Sequence, residues 1–353
     1  MSKFLSGKYQ SLKEYVPGEQ PQDKKYIKLN TNESPFPPSP AVLKAVNEEE
    51  VKKLCLYSDP ESKNLKAAIA ENYKVETENV FVSNGSDEIL NFAFMAYGDK
   101  GAVFSDITYG FYKVFAELYG IKTDIIPLKE DFSLNVDAFC NSKGLVVIAN
   151  PNAPTGKSIS VSEIERILAS NSENVVLIDE AYVDFGGESA LPLLSKYENL
   201  LVVRTFSKSR SMAGARLGYA FASKEIIGDL EKIKYSTNPY NVNRLTQIAG
   251  IAAISEQNYY DENCEKIKKN RDFVAKKCKE LGFEVLNSDA NFIFARHPVF
   301  SGEEIYLKLR DRGILVRHFK TERIDQFNRI TIGTREQMEI LIKNLKEITE
   351  EGK

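Results

Sequence analysis

Short apolar runs alternate with longer amphipathic stretches from about residue 80 to residue 220. The runs are VFV (80–82), AVF (102–104), LVVIA (145–149), VVLI (175–178) and LLVV (200–203). They are continuous and rich in β-branched residues. That pattern predicts strands buried on both faces, as in a parallel sheet covered by helices. Ser160 followed by Glu163 predicts a capping box, opening a helix with Ile164, Ile167 and Leu168 along one side. Strand, helix and strand in that order predict a right-handed crossover.

The C-terminal pattern differs. NFIFAR (291–296), a helix at 303–313, ILVRHF (314–319), RITI (329–332) and a last helix predict a small α+β domain. Thr334 with Gln337 predicts a second capping box. Residues 221–290 read as largely helical, and the first forty, with PFPPSP at 35–40, as an extended arm. The expected division is an arm and part of the small domain in 1–40, a large domain in 41–260 and a small domain in 261–353.

Composition narrows the class. With 42% hydrophobic and 27% charged residues in 353 positions, the chain is globular and long enough to build its core without disulfides. Cys55, Cys140, Cys264 and Cys278 are scattered, which predicts reduced thiols in a cytoplasmic protein. The N-terminus lacks the apolar stretch of a signal peptide, and no run of roughly 18 apolar residues spans a membrane. Net charge is −3 with acids and bases interleaved, so no nucleic-acid surface is expected. His297 and His318 are the only histidines, and neither has partners at ligand spacing. That argues against a histidine-based triad, and no metal is expected.

In open parallel sheets, ligands bind beyond the carboxyl ends of the strands. LVVIA runs into NPNAPTG (150–156), VVLI into DEAY (179–182), and LLVV into RTFSKSRSMAGARLGY (204–219). Lys208 follows the last run among small residues that leave room for a ligand. Most lysines are simply exposed, but one held in a pocket loses its proton near neutrality and attacks a carbonyl to form a Schiff base. Asp179 closes an apolar strand, where an unpaired carboxylate costs several kcal/mol. A structural cap or salt bridge is one solution. The other is an ion pair with a protonated heterocyclic nitrogen, and removing one member of such a buried pair costs about 3–5 kcal/mol. Arg216 lies eight residues after Lys208, between Gly214 and Gly218, with the Thr205 and Ser207 hydroxyls nearby. SNGSDE (83–88) adds a glycine turn at a helix N-terminus, which favours an anion. Its own Asp87 and Glu88 repel phosphate unless they cap the helix or face away.

TFSKSRSMAGARLGY, DEAY and NPNAPTG together resemble the fold-type I aminotransferases that use pyridoxal 5'-phosphate. Within them the chain resembles the histidinol-phosphate aminotransferases. LNTNESPFPPSP (29–40), LYSDPES (56–62), ITYG (107–110), STNPYNVNR (236–244), ILVRHF and NRITIGTRE (328–336) carry that likeness over nearly all 353 residues. The resemblance implies an aspartate-aminotransferase-like α/β fold. A large domain with a mainly parallel sheet flanked by helices would join a smaller α+β domain built from the C-terminus and the arm. It implies transamination between L-histidinol phosphate and 2-oxoglutarate, giving imidazole-acetol phosphate and glutamate in histidine biosynthesis, by a cytoplasmic homodimer.

By the same resemblance Lys208 would carry the cofactor as a Schiff base and shuttle the proton. Asp179 would pair with the pyridine nitrogen, and Tyr182 and Asn152 would bind the phenolic oxygen. Arg216, Ser207 and Thr205, with the turn Gly85, Ser86 and Asp87, would hold the phosphate, which Tyr57 would reach from the neighbouring subunit. Tyr109 would stack on the ring. Arg317 and Arg329, each of which could equally be a surface residue when taken singly, would grip the substrates' anionic groups through paired hydrogen bonds. Tyr15 would close over the substrate phosphate, and Asn32 would line the same entrance.

Two positions depart from the resemblance. Ala153 stands where many relatives have asparagine, which leaves the amide to Asn152, and Ile107 stands where proline is common. Three rivals stay open. An aromatic-amino-acid aminotransferase differs only in the substrate pocket. A threonine-phosphate decarboxylase has the same fold, and a cofactor-binding regulator would need an appended DNA-binding module.

Overall fold

A computed structural model describes residues 2–351. After the arm comes a short strand, β1 (Ile27–Lys28). Then β2 (Val80–Ser83), β3 (Ala102–Ser105), β4 (Thr123–Ile126), β5 (Leu145–Ala149), β6 (Val176–Asp179), β7 (Leu200–Thr205) and β8 (Gly218–Ala222) build one sheet. Its order is β2-β8-β7-β6-β5-β3-β4, and β8 alone runs against the rest. All five apolar runs map onto strands of this sheet, although β6 starts one residue later than the run VVLI; LVVIA is β5 residue for residue.

Successive side chains of a strand point to opposite faces, and the core divides accordingly. Val176, Ile178, Leu200 and Val202 pack on one side with Ile164, Ile167 and Leu168 of the helix Val161–Ser170. Leu177, Leu201 and Val203 pack on the other with Ile89, Leu90 and Tyr112. Full burial of such a side chain contributes roughly 1.5–3 kcal/mol. The capping box at Ser160 and Glu163 is present, and so is the one at Thr334 and Gln337.

The later strands β9 (Glu284–Val285), β10 (Phe292–Arg296), β11 (Ile314–Leu315), β12 (Arg317–His318) and β13 (Phe327–Thr331) follow the helices Lys224–Thr237, Arg244–Ile254 and Gln257–Glu280. Four of them form an antiparallel sheet in the order β12-β13-β10-β9. ILVRHF, read as one run, divides between two partners. Ile314 and Leu315 pair with β1, whereas Arg317 and His318 pair with β13. The β1 pairing, extended by the Thr331 amide donating to the Leu29 carbonyl at 2.9 Å, carries residues 30–32 to the carboxyl ends of the large sheet. Among the described residues no helix is long and apolar enough to cross a membrane.

Candidate active site

The chain changes direction across the large sheet between β3 and β5: from β3 it moves outward to β4, and from β5 the other way to β6 and β7. Such a switch point opens a crevice for ligands. Two joined cavities lie there, of about 330 and 830 Å³, within the range of small-molecule sites. The smaller is lined by Ser86, Asp87, Asp179, Thr205, Ser207 and Arg216, the larger by Tyr15, Asn32, Arg317 and Arg329. Tyr109, Tyr182 and Lys208 line both. Lys208 therefore stands where the two spaces meet.

The Lys208 ammonium donates to the Thr31 carbonyl at 3.1 Å. Beside it, Asn32 Nδ2 donates to the Tyr182 hydroxyl at 2.9 Å, which leaves that hydroxyl's own hydrogen free. Asp179, at the end of β6, is buried; it accepts from the Tyr112 hydroxyl at 2.7 Å and from the Ala181 amide at 3.2 Å. Burial pushes its carboxyl up to about 6, although the Tyr112 and Ala181 hydrogen bonds pull it back. No cation is among the groups that most affect it. A buried carboxylate in a cavity wall without a cation fits a protonated ring nitrogen.

The opposite end of the smaller cavity is built for an anion. Gly85, with φ of +77°, precedes the helix Ser86–Tyr97, whose first two residues line the crevice and whose first amides have no partner within the helix. A Cβ on Gly218 of β8 would lie 2.4 Å from the Ser86 amide nitrogen, so only glycine lets that helix end approach the sheet. Arg216 Nη2 donates to Asp87 Oδ2 at 3.0 Å, and the Tyr109 hydroxyl donates to Asp87 Oδ1 at 2.8 Å. Asp87 is thus neutralised by the arginine instead of repelling a phosphate. The Thr205 and Ser207 hydroxyls, 2.9 Å apart, complete the cradle. Burial holds the Tyr109 phenol well above its ordinary value, so it stays a donor.

In the larger cavity Arg329 and Arg317 face each other across the β12–β13 register. Arg329 Nη2 donates to the Asn30 carbonyl at 3.0 Å, while its Nε is buried with no partner among the described residues. Burial lowers its pKa, and the like charge of Arg317 adds to this; no carboxylate is among the groups that most affect it. Such a guanidinium fits an incoming carboxylate or phosphate. Arg317 donates to the carbonyls of Pro17 and Val16 at 3.0 and 2.9 Å. It therefore fastens the arm over the cavity, where the Tyr15 ring stacks on Phe111 with centroids 4.3 Å apart.

Asn152 is not placed as expected. Its two amide hydrogens go to the Ile107 carbonyl and the Thr155 hydroxyl, both at 3.0 Å, and its oxygen accepts from Thr108 at 2.8 Å. It fastens the loop that carries Tyr109 and has no hydrogen left for a phenolic oxygen; Ala153, without an amide, lines the cavities instead. Tyr57 is 79% exposed, stacks on Tyr240 and lines neither cavity of its own chain. Sequence reasoning missed Tyr112 and Thr31. Tyr112 had a signal, since it follows Tyr109 by three residues and so shares its side of a helical turn. Thr31 acts through its carbonyl, which no side-chain pattern reports.

Among the described residues no cluster of three or more histidine, cysteine, aspartate or glutamate side chains could hold a metal ion. The family model "Aminotransferase class I and II" matches residues 24–345. The chain is similar to the histidinol-phosphate aminotransferase of Clostridium acetobutylicum, 51% identical over 98% of this chain and 99% of the relative. It is also similar to that of Brachyspira hyodysenteriae, 50% identical over 99% of each. Among solved structures, the histidinol-phosphate aminotransferase of Sinorhizobium meliloti, in complex with pyridoxal-5'-phosphate, matches the fold with a TM-score of 0.89 at 24% identity, over 100% of this chain and 99% of that one.

Proposed function

The chain belongs to the class I and II aminotransferases, and from that premise we propose that it uses pyridoxal 5'-phosphate to move the amino group of L-histidinol phosphate to 2-oxoglutarate. The products are imidazole-acetol phosphate and glutamate, within histidine biosynthesis. Relatives of that name at 51% and 50% identity over nearly the whole chain support the substrate. One observation carries the site: Lys208 shares one cavity with the buried Asp179 and the other with the half-buried Arg329, and neither of these charges has a salt-bridge partner among the described residues. No cation is among the groups that most affect Asp179, and no carboxylate is among those that most affect Arg329.

When bound, the cofactor supplies an electron-accepting ring that stabilises negative charge on the substrate carbon bearing the amine. Asp179 would hold the proton on the ring nitrogen, and Tyr109 would pack against the ring. The amides at Ser86 and Asp87, with Arg216, Ser207 and Thr205, would hold the phosphate. Tyr182, accepting from Asn32, would offer its free hydrogen to the phenolic oxygen. Lys208 Nζ would hold the cofactor between turnovers, and would take the proton from the substrate carbon and pass it to the cofactor carbon that gains the amino group. Arg329 and Arg317 bind the phosphate of one substrate and a carboxylate of the other, with Tyr15 closing the space above them.

With 2-oxoglutarate present, histidinol phosphate should yield glutamate faster than phenylalanine does, and threonine phosphate should release no carbon dioxide. Preference for phenylalanine makes the chain an aromatic aminotransferase, and carbon dioxide makes it a decarboxylase. Arg329→Met should raise KM for both histidinol phosphate and glutamate by about 10- to 100-fold, the worth of a hydrogen bond to a charged group. Unchanged KM for both would remove Arg329 from substrate binding.

The active unit is a cytoplasmic homodimer in this reading, with Tyr57 serving the partner's phosphate. Exposed Leu43, which lines an apolar groove with Val42 and Leu245, and the exposed Leu54 and Leu56 support it. Light scattering should give the mass of two chains, and Tyr57→Phe should weaken cofactor binding. A monomer with unchanged affinity would contradict both.

A further inference from the structure

We propose that Tyr112 is a positioning residue that keeps Asp179 ionised and aimed at the cofactor's ring nitrogen, a role that rests on the reading of Asp179 given above. Tyr112 lies on the helix Phe111–Tyr119 and is fully buried. Its ring packs edge-on against Phe104 and Tyr109, at 6.0 and 5.7 Å between centroids. Its hydroxyl donates to Asp179 Oδ2 at 2.7 Å. Tyr109, three residues earlier, bonds Asp87. Tyr109, just before that helix, and Tyr112, in its first turn, thus each hold a carboxylate that lines the smaller cavity.

The other groups facing Asp179 do not explain how its charge survives. Asp87, from the helix Ser86–Tyr97, and Glu180, next along its own segment, are both acidic and push it toward the neutral acid. Each is held by an arginine, Asp87 by Arg216 at 3.0 Å and Glu180 by Arg204 at 2.9 Å. Lys208 and Tyr182 line the same cavity, but their polar hydrogen bonds run to Thr31 and Asn32. That leaves two donors to the Asp179 carboxylate, the Ala181 amide and the Tyr112 hydroxyl. The amide is fixed by the backbone. Tyr112 is the side chain that favours the ion, and burial holds its own pKa well above the ordinary value, so it remains protonated.

Tyr112→Phe keeps the buried ring and removes only the hydroxyl. Affinity for pyridoxal phosphate is measured on the cofactor-free protein for wild type, Tyr112→Phe, Asp179→Asn and the double variant. A hydrogen bond to a charged group sets the expected loss at about 10-fold or more for Tyr112→Phe, with a larger loss for Asp179→Asn. The double variant should bind like Asp179→Asn alone, because Tyr112 acts through that carboxylate. With ring-15N cofactor, the nitrogen resonance of Tyr112→Phe should move from the protonated toward the unprotonated position. Wild-type affinity and an unmoved resonance in Tyr112→Phe, with Asp179→Asn impaired, would overturn the role of Tyr112 alone. So would a further loss in the double variant. An unimpaired Asp179→Asn would instead overturn the reading of Asp179, and the proposal with it.

Discussion

Replacing Lys208 by alanine is expected to lower glutamate formation from histidinol phosphate and 2-oxoglutarate by at least ~10²–10⁴-fold, the worth of a positioned acid–base group. The expectation follows from where the amine sits. Lys208 lines both cavities, so one nitrogen can reach the cofactor on one side and the substrate on the other. The substitution also deletes the donor to the Thr31 carbonyl. The phosphate cradle and Asp179 are left intact, so cofactor should still bind without the covalent link. Near-normal turnover would assign the proton transfer to another group.

Asp179→Asn should have opposite effects on the empty and the loaded protein. Burial raises the Asp179 carboxyl from 3.8 to about 6 in the folded chain. Below pH ~4 it is neutral whether folded or unfolded and costs nothing. As pH rises from there through about 6, the unfolded chain ionises more easily, and folding stability is lost. With the group wholly buried, a shift of that size corresponds to about 3 kcal/mol above pH ~6. The cofactor-free asparagine variant should therefore melt higher than wild type at pH 8, and the gap should close near pH 4. Cofactor affinity should fall instead, because the ring nitrogen loses its counter-ion. Thermal unfolding with and without pyridoxal phosphate at both pH values measures this. A gap that ignores pH would mean that the charge of Asp179 is not what the substitution relieves.

The parts of this fold legible in the sequence are those where burial is uniform. The five strands that carry or flank the crevice are apolar on both faces, so each appears as an unbroken run. β4 is an edge strand with Asp124 and Ile125 exposed, and its TDII gives no such run. β8 was hidden by its small residues, and Gly218 is there because a helix end presses against it. ILVRHF reads as a single strand because its division at Val316 depends on two partners distant in sequence.

The site was legible for a related reason. Asp179 closes a buried strand, and Lys208 and Tyr182 each lie three residues beyond the end of one, where polar residues have no packing role. Asn152 sits in the same kind of loop, yet its amide hydrogens are consumed locally, and only three-dimensional contacts reveal that. Tyr112 carries only the weak signal of its spacing from Tyr109, because its hydroxyl partner is 67 residues away.

The central claim is that Lys208 carries the cofactor. Reducing the loaded protein with borohydride fixes any imine-linked cofactor in place, and the mass of the proteolytic peptides then locates it. The phosphopyridoxyl mass should fall on the peptide containing Lys208 and on no other. Its appearance on a different lysine, or on none, would contradict the assignment of this crevice as the site of amino transfer.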